Sequence, residues 1–250
     1  MQRFFVSAQN IKNNKVYIDE DQSRHIEKVL RLRTGDIISV FDGKGHEYQV
    51  RLSGRERKTL LADIEAELKR DNEAATRLSL VQGIPRGDKM DTIIQKVTEI
   101  GVSTIYPLIS ERSVIKLSGE KAEKKVERWQ LIAREACKQC RRNVIPELKP
   151  VLDFSALFKE IGQRPAIMLY ENEEQTGLKT LLREKQESLA GREIFVLLGP
   201  EGGFSEAEVE EARRKGIIPA GLGPRILRSE TAAIVVAGII MYEYGEMEPG

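Results

Sequence analysis

Two cysteines, two histidines and one tryptophan are few for a chain of 250 residues, and aromatics make up only 6% of it. Two cysteines cannot staple a fold of this length, so a disulfide framework is excluded. Cys137 and Cys140 stand as Cys-Lys-Gln-Cys in a helical pattern, where three-residue spacing puts both on one face. With no second pair and no histidine beside them, ordinary reduced cysteines are expected rather than a zinc site. Long apolar runs are also missing. The longest uncharged one, Thr231 to Tyr242, falls short of the roughly 18 residues that suggest a membrane span. The opening Met-Gln-Arg-Phe-Phe turns polar too soon for a signal peptide. An excess of charge is lacking as well: 40 Lys+Arg against 39 Asp+Glu leave a net +1, so the wholesale basicity typical of nucleic-acid binders is not there. A cytoplasmic protein with no membrane segment and no metal is the expectation.

What is present suits a globular chain of one or two domains: 40% hydrophobic and 32% charged residues. The first seventy or so residues read as short strands. Val16–Ile18 is one; Asp36–Phe41 and His46–Leu52 flank Asp42-Gly-Lys-Gly45, a strong hairpin signal, and Leu60–Ile64 follows. A short helix near Ser23–Leu30 interrupts them, and the whole resembles a small β-barrel or roll. The polar stretch Lys69–Thr76 marks a boundary, giving a domain 1–72 and a domain 73–250.

Beyond it, strands alternate with helices. Strands are expected at Leu78–Gln82, Thr104–Ile109, Ala166–Tyr170, Glu193–Leu198 and near Ile217. A helix face at Met90, Ile93, Ile94, Val97 and Ile100 stops at Gly101. A long basic helix runs from Glu120 to Arg142, and a last, almost wholly apolar one from Ser229 to Tyr244. The alternation predicts a mostly parallel α/β sheet.

Two glycine-bearing loops carry the chemistry. Gly199-Pro-Glu-Gly-Gly-Phe204 follows a buried strand and leads into Ser205–Glu208, a capping box that starts a helix. It has neither the Gly-Lys-Ser/Thr of a P-loop nor the Gly-x-Gly-x-x-Gly of dinucleotide folds. Glu201 discourages a phosphate there and suits a cationic ligand. Gly221-Leu-Gly-Pro-Arg-Ile-Leu-Arg228 precedes Ser229, which reads as the N-cap of the final helix. Arg228 is electrostatically misplaced at a helix N-terminus and needs a negative partner: Glu230, a ligand carboxylate or a phosphate.

Gly199–Ser205, together with Leu-Gly-x-Arg-Ile-Leu-Arg-x-Glu-Thr-Ala at 222–232, resembles the signature of the ribosomal RNA small subunit methyltransferase E family. The likeness extends to Gln95–Gly101, Pro107–Ser113, Ala136–Asn143 and, at the front, His25–Arg31 with Thr34-Gly-Asp36. It implies a PUA-like β-barrel followed by a SPOUT-type α/β domain with a C-terminal trefoil knot, working as a homodimer. It implies S-adenosylmethionine as cofactor and N3 of a uridine of 16S ribosomal RNA, uracil 1498, in the small ribosomal subunit, as target. Periodicity does not reveal a knot, which base rates argue against. Carried over onto this chain, Leu198, Gly199, Pro200, Glu201, Gly202, Leu222, Gly223, Ile226, Leu227 and Thr231 hold the cofactor, and the last helix lies at the dimer interface.

Uracil N3 carries a proton and is engaged in pairing, so the base must be unpaired or flipped and must lose that proton. Arg228 or Arg142 is the candidate cation for the developing anion. Glu230 is the candidate base, or else the partner that orients Arg228. RNA contacts are expected from Arg24, His25, Lys28 and Arg31 and from Arg112, Lys138, Arg141 and Asn143. The span Arg112–Pro150 holds eleven Lys/Arg and five Asp/Glu, 11 − 5 = 6 excess positive charges. Two other readings stay open: a non-enzymatic RNA-binding module, and an enzyme using a different nucleotide at the 199–203 loop.

Overall fold

The computed structural model describes residues 1–69, 72–115, 117–189 and 191–248. Arg70 and Asp71, inside the polar stretch where the boundary was expected, lie outside them. The chain divides into two units: Met1–Glu73 with Cys137–Ile145, and Ala74–Ala136 with Pro146–Gly250.

The first unit contains β1 (Arg3–Phe5), β2 (Ile11–Lys12), β3 (Lys15–Ile18), β4 (Ile37–Phe41), β5 (Glu47–Glu56) and β6 (Thr59–Glu67), with α1 (Glu20–Arg24) between β3 and β4. Asp19 caps α1 by accepting the Gln22 N–H at 2.9 Å. The helix winds on through a wide turn at His25–Val29, closed by Leu30 N–H to His25 C=O at 3.0 Å. The strands pair in the order β1-β4-β5-β6-β3-β2, antiparallel throughout apart from the parallel β1–β4 pair. Register shifts at Gln49/Val50 and Leu52/Gly54 bend the long β5–β6 ladder. Strand alternation decides the core: Val50 and Leu52 point inward with Phe4, Val16, Ile18, Ile38, Val40 and Leu60, while Arg51 between them is exposed.

The segment Cys137–Ile145 joins this unit because a polar knot holds it there. The Arg3 guanidinium donates to the carbonyls of Cys137 (2.8 Å) and Arg142 (2.9 Å), to Asn143 Oδ1 (2.5 Å) and to Glu47 (3.3 Å). Glu73 accepts from Arg142 Nε (2.9 Å) and from the N–H groups of Asn143 (2.7 Å) and Val144 (2.8 Å). Burial pushes the Cys137 thiol up to about 12, against the opposite pull of the Arg142 charge.

The second unit is a six-stranded parallel sheet. Its elements are β7 (Leu78–Gly83), α2 (Lys89–Ile100), β8 (Thr104–Leu108), α3 (Gly119–Cys140), β9 (Glu147–Leu148), α4 (Phe154–Ile161), β10 (Ala166–Leu169), α5 (Leu178–Glu184), α6 (Gln186–Leu189), β11 (Ile194–Leu198), α7 (Glu206–Arg214), β12 (Ile218–Ala220) and α8 (Ser229–Glu243). The last turn of α3 falls in the first unit. The helix stops at Cys140, two residues earlier than the sequence pattern suggests, because Arg141 takes a left-handed φ of 68°. Gly101 ends α2 at φ 114°, a conformation that favours glycine.

The strand order β12-β10-β11-β7-β8-β9 puts β11 between β7 and β10, with every residue of β7 and β11 buried. Burial on both faces is why these strands read as continuous apolar runs rather than alternating ones. α8 has no polar stripe, and its Ala233, Val236, Ala237, Ile240 and Met241 are buried. At the start of β11, burial would raise the Glu193 carboxyl. Hydrogen bonds from Ser79 (2.5 Å) and Arg164 (2.6 Å) outweigh it and bring the group below the ordinary carboxylate value. Among the described residues, no helix is long and apolar enough to cross a membrane.

Candidate active site

Open parallel sheets bind ligands beyond the carboxyl ends of their strands, where the strand order reverses. Here the chain segments leaving β10, β11 and β12, with the starts of α2 and α8, surround a cavity of about 890 Å³ in the second unit. Its walls come from Leu169–Glu171, Leu198–Glu201, Gly203 and the stretch 221–229. The volume suits a nucleoside-sized ligand.

Two glycines make its floor possible. A Cβ on Gly199 would stand 2.8 Å from the carbonyl carbon of Gly203, backbone against backbone. Gly203 has φ 66°, and a Cβ there would overlap the Glu171 carboxylate. The turn closes through Gly203 N–H to Pro200 C=O at 2.9 Å. It passes into the expected capping box: Ser205 N–H donates to Glu208 at 2.8 Å, and Glu208 N–H to Ser205 Oγ at 3.2 Å.

A buried amide ties the three walls together. Gln82, fully buried at the end of β7, donates from Nε2 to Ser229 Oγ (2.9 Å), Gly83 C=O (2.8 Å) and Gly199 C=O (3.3 Å), and Ser229 Oγ donates to Gly199 C=O at 2.9 Å. Ser229 is therefore not the N-cap that its residue type suggests. Its hydroxyl is committed to the glycine turn, and the cap position falls to Arg228, which makes no side-chain cap bond. Among the described residues Gln82 Oε1 is buried without a hydrogen-bond partner.

Charges on the walls divide into paired and unpaired. Glu201 accepts from Lys89 Nζ (2.8 Å) and from the Arg86 N–H (3.0 Å). Burial would raise its carboxyl, and these donors bring it below the ordinary value instead. Glu201 is thus already neutralised by the chain, which corrects the expectation that it waits for a cationic ligand. Glu173 pairs with Arg213 at 2.7 Å. Among the described residues the side chains of Glu171, Glu174, Arg225 and Arg228 have no hydrogen-bonding or ion-pairing partner, and all four residues line the cavity. Lys89 Nζ lies 3.9 Å from Glu230 Oε2, a buried oxygen that makes no hydrogen bond among the described residues.

The residues singled out from sequence disperse accordingly. Leu198, Gly199, Pro200, Glu201, Leu222, Gly223, Ile226 and Leu227 line the cavity, with Ile226 87% exposed. Gly202 does not: its open side faces Arg112, whose Nη1 donates to the Gly202 carbonyl at 3.0 Å. Thr231 is exposed on the first turn of α8 and is not among the lining residues either. Arg228 is at the site, and Glu230 is beside Lys89. Arg142 is not at this cavity, because its guanidinium is buried against Glu73 in the first unit. Of the expected RNA contacts, Asn143 is 2% exposed within the same knot. Arg24 pairs with Glu20, Lys138 lies over the Phe4 ring at 5.3 Å, and His25 meets Phe4 edge-on. Lys28, Arg31 and Arg141 are exposed. Sequence reasoning missed Gln82, Lys89, Tyr170 and Glu171, while Gly203 was in the glycine loop it singled out. For Tyr170 and Glu171 a signal existed, since both directly follow a parallel strand at its carboxyl end.

Among the described residues no three His, Cys, Asp or Glu side chains come together in a metal-holding group. The model of an RNA methyltransferase domain matches residues 72–241, and that of an RNA methyltransferase PUA domain matches 18–65. A ribosomal RNA small subunit methyltransferase E from Bacillus subtilis is 34% identical over 248 residues, 97% of each chain. The chain belongs to the ribosomal RNA small subunit methyltransferase E family. Another member, from Aquifex aeolicus, is 31% identical over 232 residues, covering 92% of this chain and 95% of its own. A member from Neisseria gonorrhoeae, solved bound to S-adenosyl methionine, superposes with a TM-score of 0.85 at 32% identity over 98% of both chains. A putative methyltransferase from Legionella pneumophila, solved with the bound cofactor SAM, gives 0.83 at 29% identity over 96% and 97%.

Proposed function

We propose that this chain methylates N3 of a uridine in 16S ribosomal RNA of the small subunit, uracil 1498, using S-adenosylmethionine. The observation that carries the reading is the cavity: a glycine floor, backbone-rich walls, and unpaired charges of both signs at the carboxyl ends of adjacent parallel strands. Its residues fit that cofactor. Leu198, Leu222 and Leu227 offer apolar surface, Gly199 and Gly203 offer backbone without Cβ obstruction, and unpaired Glu171 and Arg225 answer the cationic and anionic groups of the ligand. When bound, S-adenosylmethionine supplies a methyl group on a cationic sulfur to an attacking nucleophile.

The chain's own contribution is orientation and electrostatics. Gln82 and Ser229 fix the glycine turn against α8. Arg228, unpaired at the cavity and held at the positive end of α8, stabilises negative charge on the uracil oxygens as N3 gives up its proton. Glu230, on the first turn of α8 next to the lining residues Arg228 and Ser229, receives that proton or orients Arg228. Exposed Lys28, Arg31 and Arg141 of the first unit, and Arg112 of the second, hold phosphates. The winding of the stretch 221–229 past Thr176 and Gly177, with Gly221 N–H to Thr176 C=O at 2.8 Å, and back to Gly199 supports a SPOUT-type trefoil knot. Exposed Val235 and Tyr242 on α8 support a homodimer through that helix. A cytoplasmic location follows from a ribosomal substrate.

The test incubates the protein with methyl-labelled S-adenosylmethionine and small subunits lacking the mark, then maps the modified base. Label on N3 of that uridine is expected. Label elsewhere, none at all, or binding of ATP or NAD in place of S-adenosylmethionine overturns the reading.

A further inference from the structure

The carboxylates around the cavity are not equivalent. Glu201 and Glu173 are neutralised within the chain by Lys89 and Arg213. Among the described residues Glu174 and Glu171 have unpaired side chains, and Glu171 lies against the floor, its carboxylate occupying the space that a Cβ on Gly203 would fill. That contact holds an unpaired negative charge at the turn lining the cavity, within Coulomb reach of a cation bound there. Gly203, at φ 66°, is what keeps that place open.

We propose that Glu171 is the specificity-determining residue by which the site tells the methyl donor from the spent product. The inference rests on the reading of the cavity as the S-adenosylmethionine site. When the methyl carbon bonds to N3, the carbon–sulfur bond pair stays on sulfur, so the donor carries a sulfonium charge and the product, S-adenosylhomocysteine, a neutral thioether. The two share every other group. An unpaired anion on the cavity floor favours the charged form and releases its hold once the charge is gone. Product leaves and donor enters by the same electrostatic difference, with no movement of the protein required.

The experiment is calorimetric titration of the wild type, Glu171→Gln and Glu174→Gln with three ligands: S-adenosylmethionine, S-adenosylhomocysteine, and sinefungin, which carries an amine cation in place of the sulfonium. Glu171→Gln is expected to weaken the two cationic ligands about three- to fivefold and to leave S-adenosylhomocysteine within about 1.5-fold. Glu174→Gln removes the same charge without the contact to the floor, and it keeps the wild-type ratios. Because Glu171 is exposed, both variants should melt with the wild type. Equal weakening of all three ligands by Glu171→Gln would assign the carboxylate to a group they share and overturn the proposal; so would an equal effect from Glu174→Gln. A wild type that binds none of the three fails the functional reading itself, a result distinct from either.

Discussion

Replacing Gly199 by alanine tests whether the shape of the glycine turn holds the ligand. The new Cβ would lie 2.8 Å from the Gly203 carbonyl carbon and 2.9 Å from its Cα. Carbon atoms in contact prefer about 3.5–4.0 Å, so the two limbs of the turn must part by roughly 0.6 Å or more. Neither limb is free to yield. Gly199 is held at its carbonyl by Ser229 and Gln82, and Gly203 leads directly into the capped start of α7. Overpacking of this kind costs about 1–3 kcal/mol, and losing the Ser229–Gly199 hydrogen bond about 0.5–1.5 kcal/mol more. The cavity floor is the part displaced. An affinity loss of at least about tenfold for S-adenosylmethionine is therefore expected, corresponding to about 1.4 kcal/mol.

Gly202→Ala is the matched comparison. Its Cβ would meet Arg112 Cβ at 3.3 Å, which a shift of a few tenths of an ångström relieves, and Cδ at 3.7 Å, in the exposed part of the side chain that can swing into solvent. At most one surface hydrogen bond is given up, so affinity should stay within about threefold of wild type. Calorimetry on both variants, with thermal melts alongside, decides the matter. Wild-type affinity in Gly199→Ala, or equal losses in the two, would refute the claim that the backbone contact between Gly199 and Gly203 shapes the site.

Arg228→Ala should leave the melting temperature unchanged, since the guanidinium has no partner among the described residues, while transfer falls on the order of 10²–10³-fold; undiminished single-turnover labelling of the RNA would sink the assignment. Cys137, buried with its thiol pushed up to about 12, should resist alkylation at pH 8 in the folded protein, whereas Cys140 should react. Mass spectrometry of the labelled chain shows whether Cys137 waits for denaturant. Glu193, held below the ordinary carboxylate value, stabilises the fold when ionised. That contribution is full above the unfolded-state value of about 4.3 and disappears as pH falls through the lower folded-state value. Glu193→Gln should therefore cost roughly 1.5–3 kcal/mol at pH 7, and the gap to wild type in urea unfolding should close in acid; a gap independent of pH would show that the charge is not what stabilises.

The elements most legible in the sequence were those whose signal is local. The buried strands, the Ser205–Glu208 box and the Gly101 stop depend on neighbours within a few positions. Where local preference competed with a distant partner, the sequence misled. Ser229 has the residue type of an N-cap, but its hydroxyl accepts from Gln82 and donates to Gly199, 147 and thirty positions away, which turns its oxygen toward the glycine turn rather than the first N–H groups of α8. The continuation of α3 through Arg142 looked helical because Arg141 and Arg142 are good helix formers. Arg3 and Glu73, far off in sequence, draw the following backbone into the first unit instead. Gly202 and Gly203 were indistinguishable by type. Only the side each leaves open, toward Arg112 or toward Glu171, separates a surface contact from the cavity floor.

Charge is the clearest case of this limit. A near-equal total of 40 and 39 resolves locally into a basic span over Arg112–Pro150, yet a charge on the page is not a charge available to a ligand. Within that span Arg128 is taken by Asp91, Arg142 by Glu73 and Lys124 by Glu120. Each pair removes one cation from the attraction a phosphate would feel at distance, while Lys28, Arg31, Arg225 and Arg228 keep theirs. Salt dependence of RNA binding counts phosphates neutralised rather than arginines present. Removing Lys28 or Arg31 should therefore lower that slope by about one, and removing Arg142 should instead destabilise the fold by exposing Glu73 to an unpaired, half-buried state. The partition of basic residues into binding and structural sets is thus decided by which carboxylates fold beside them, at separations such as the 69 residues between Glu73 and Arg142.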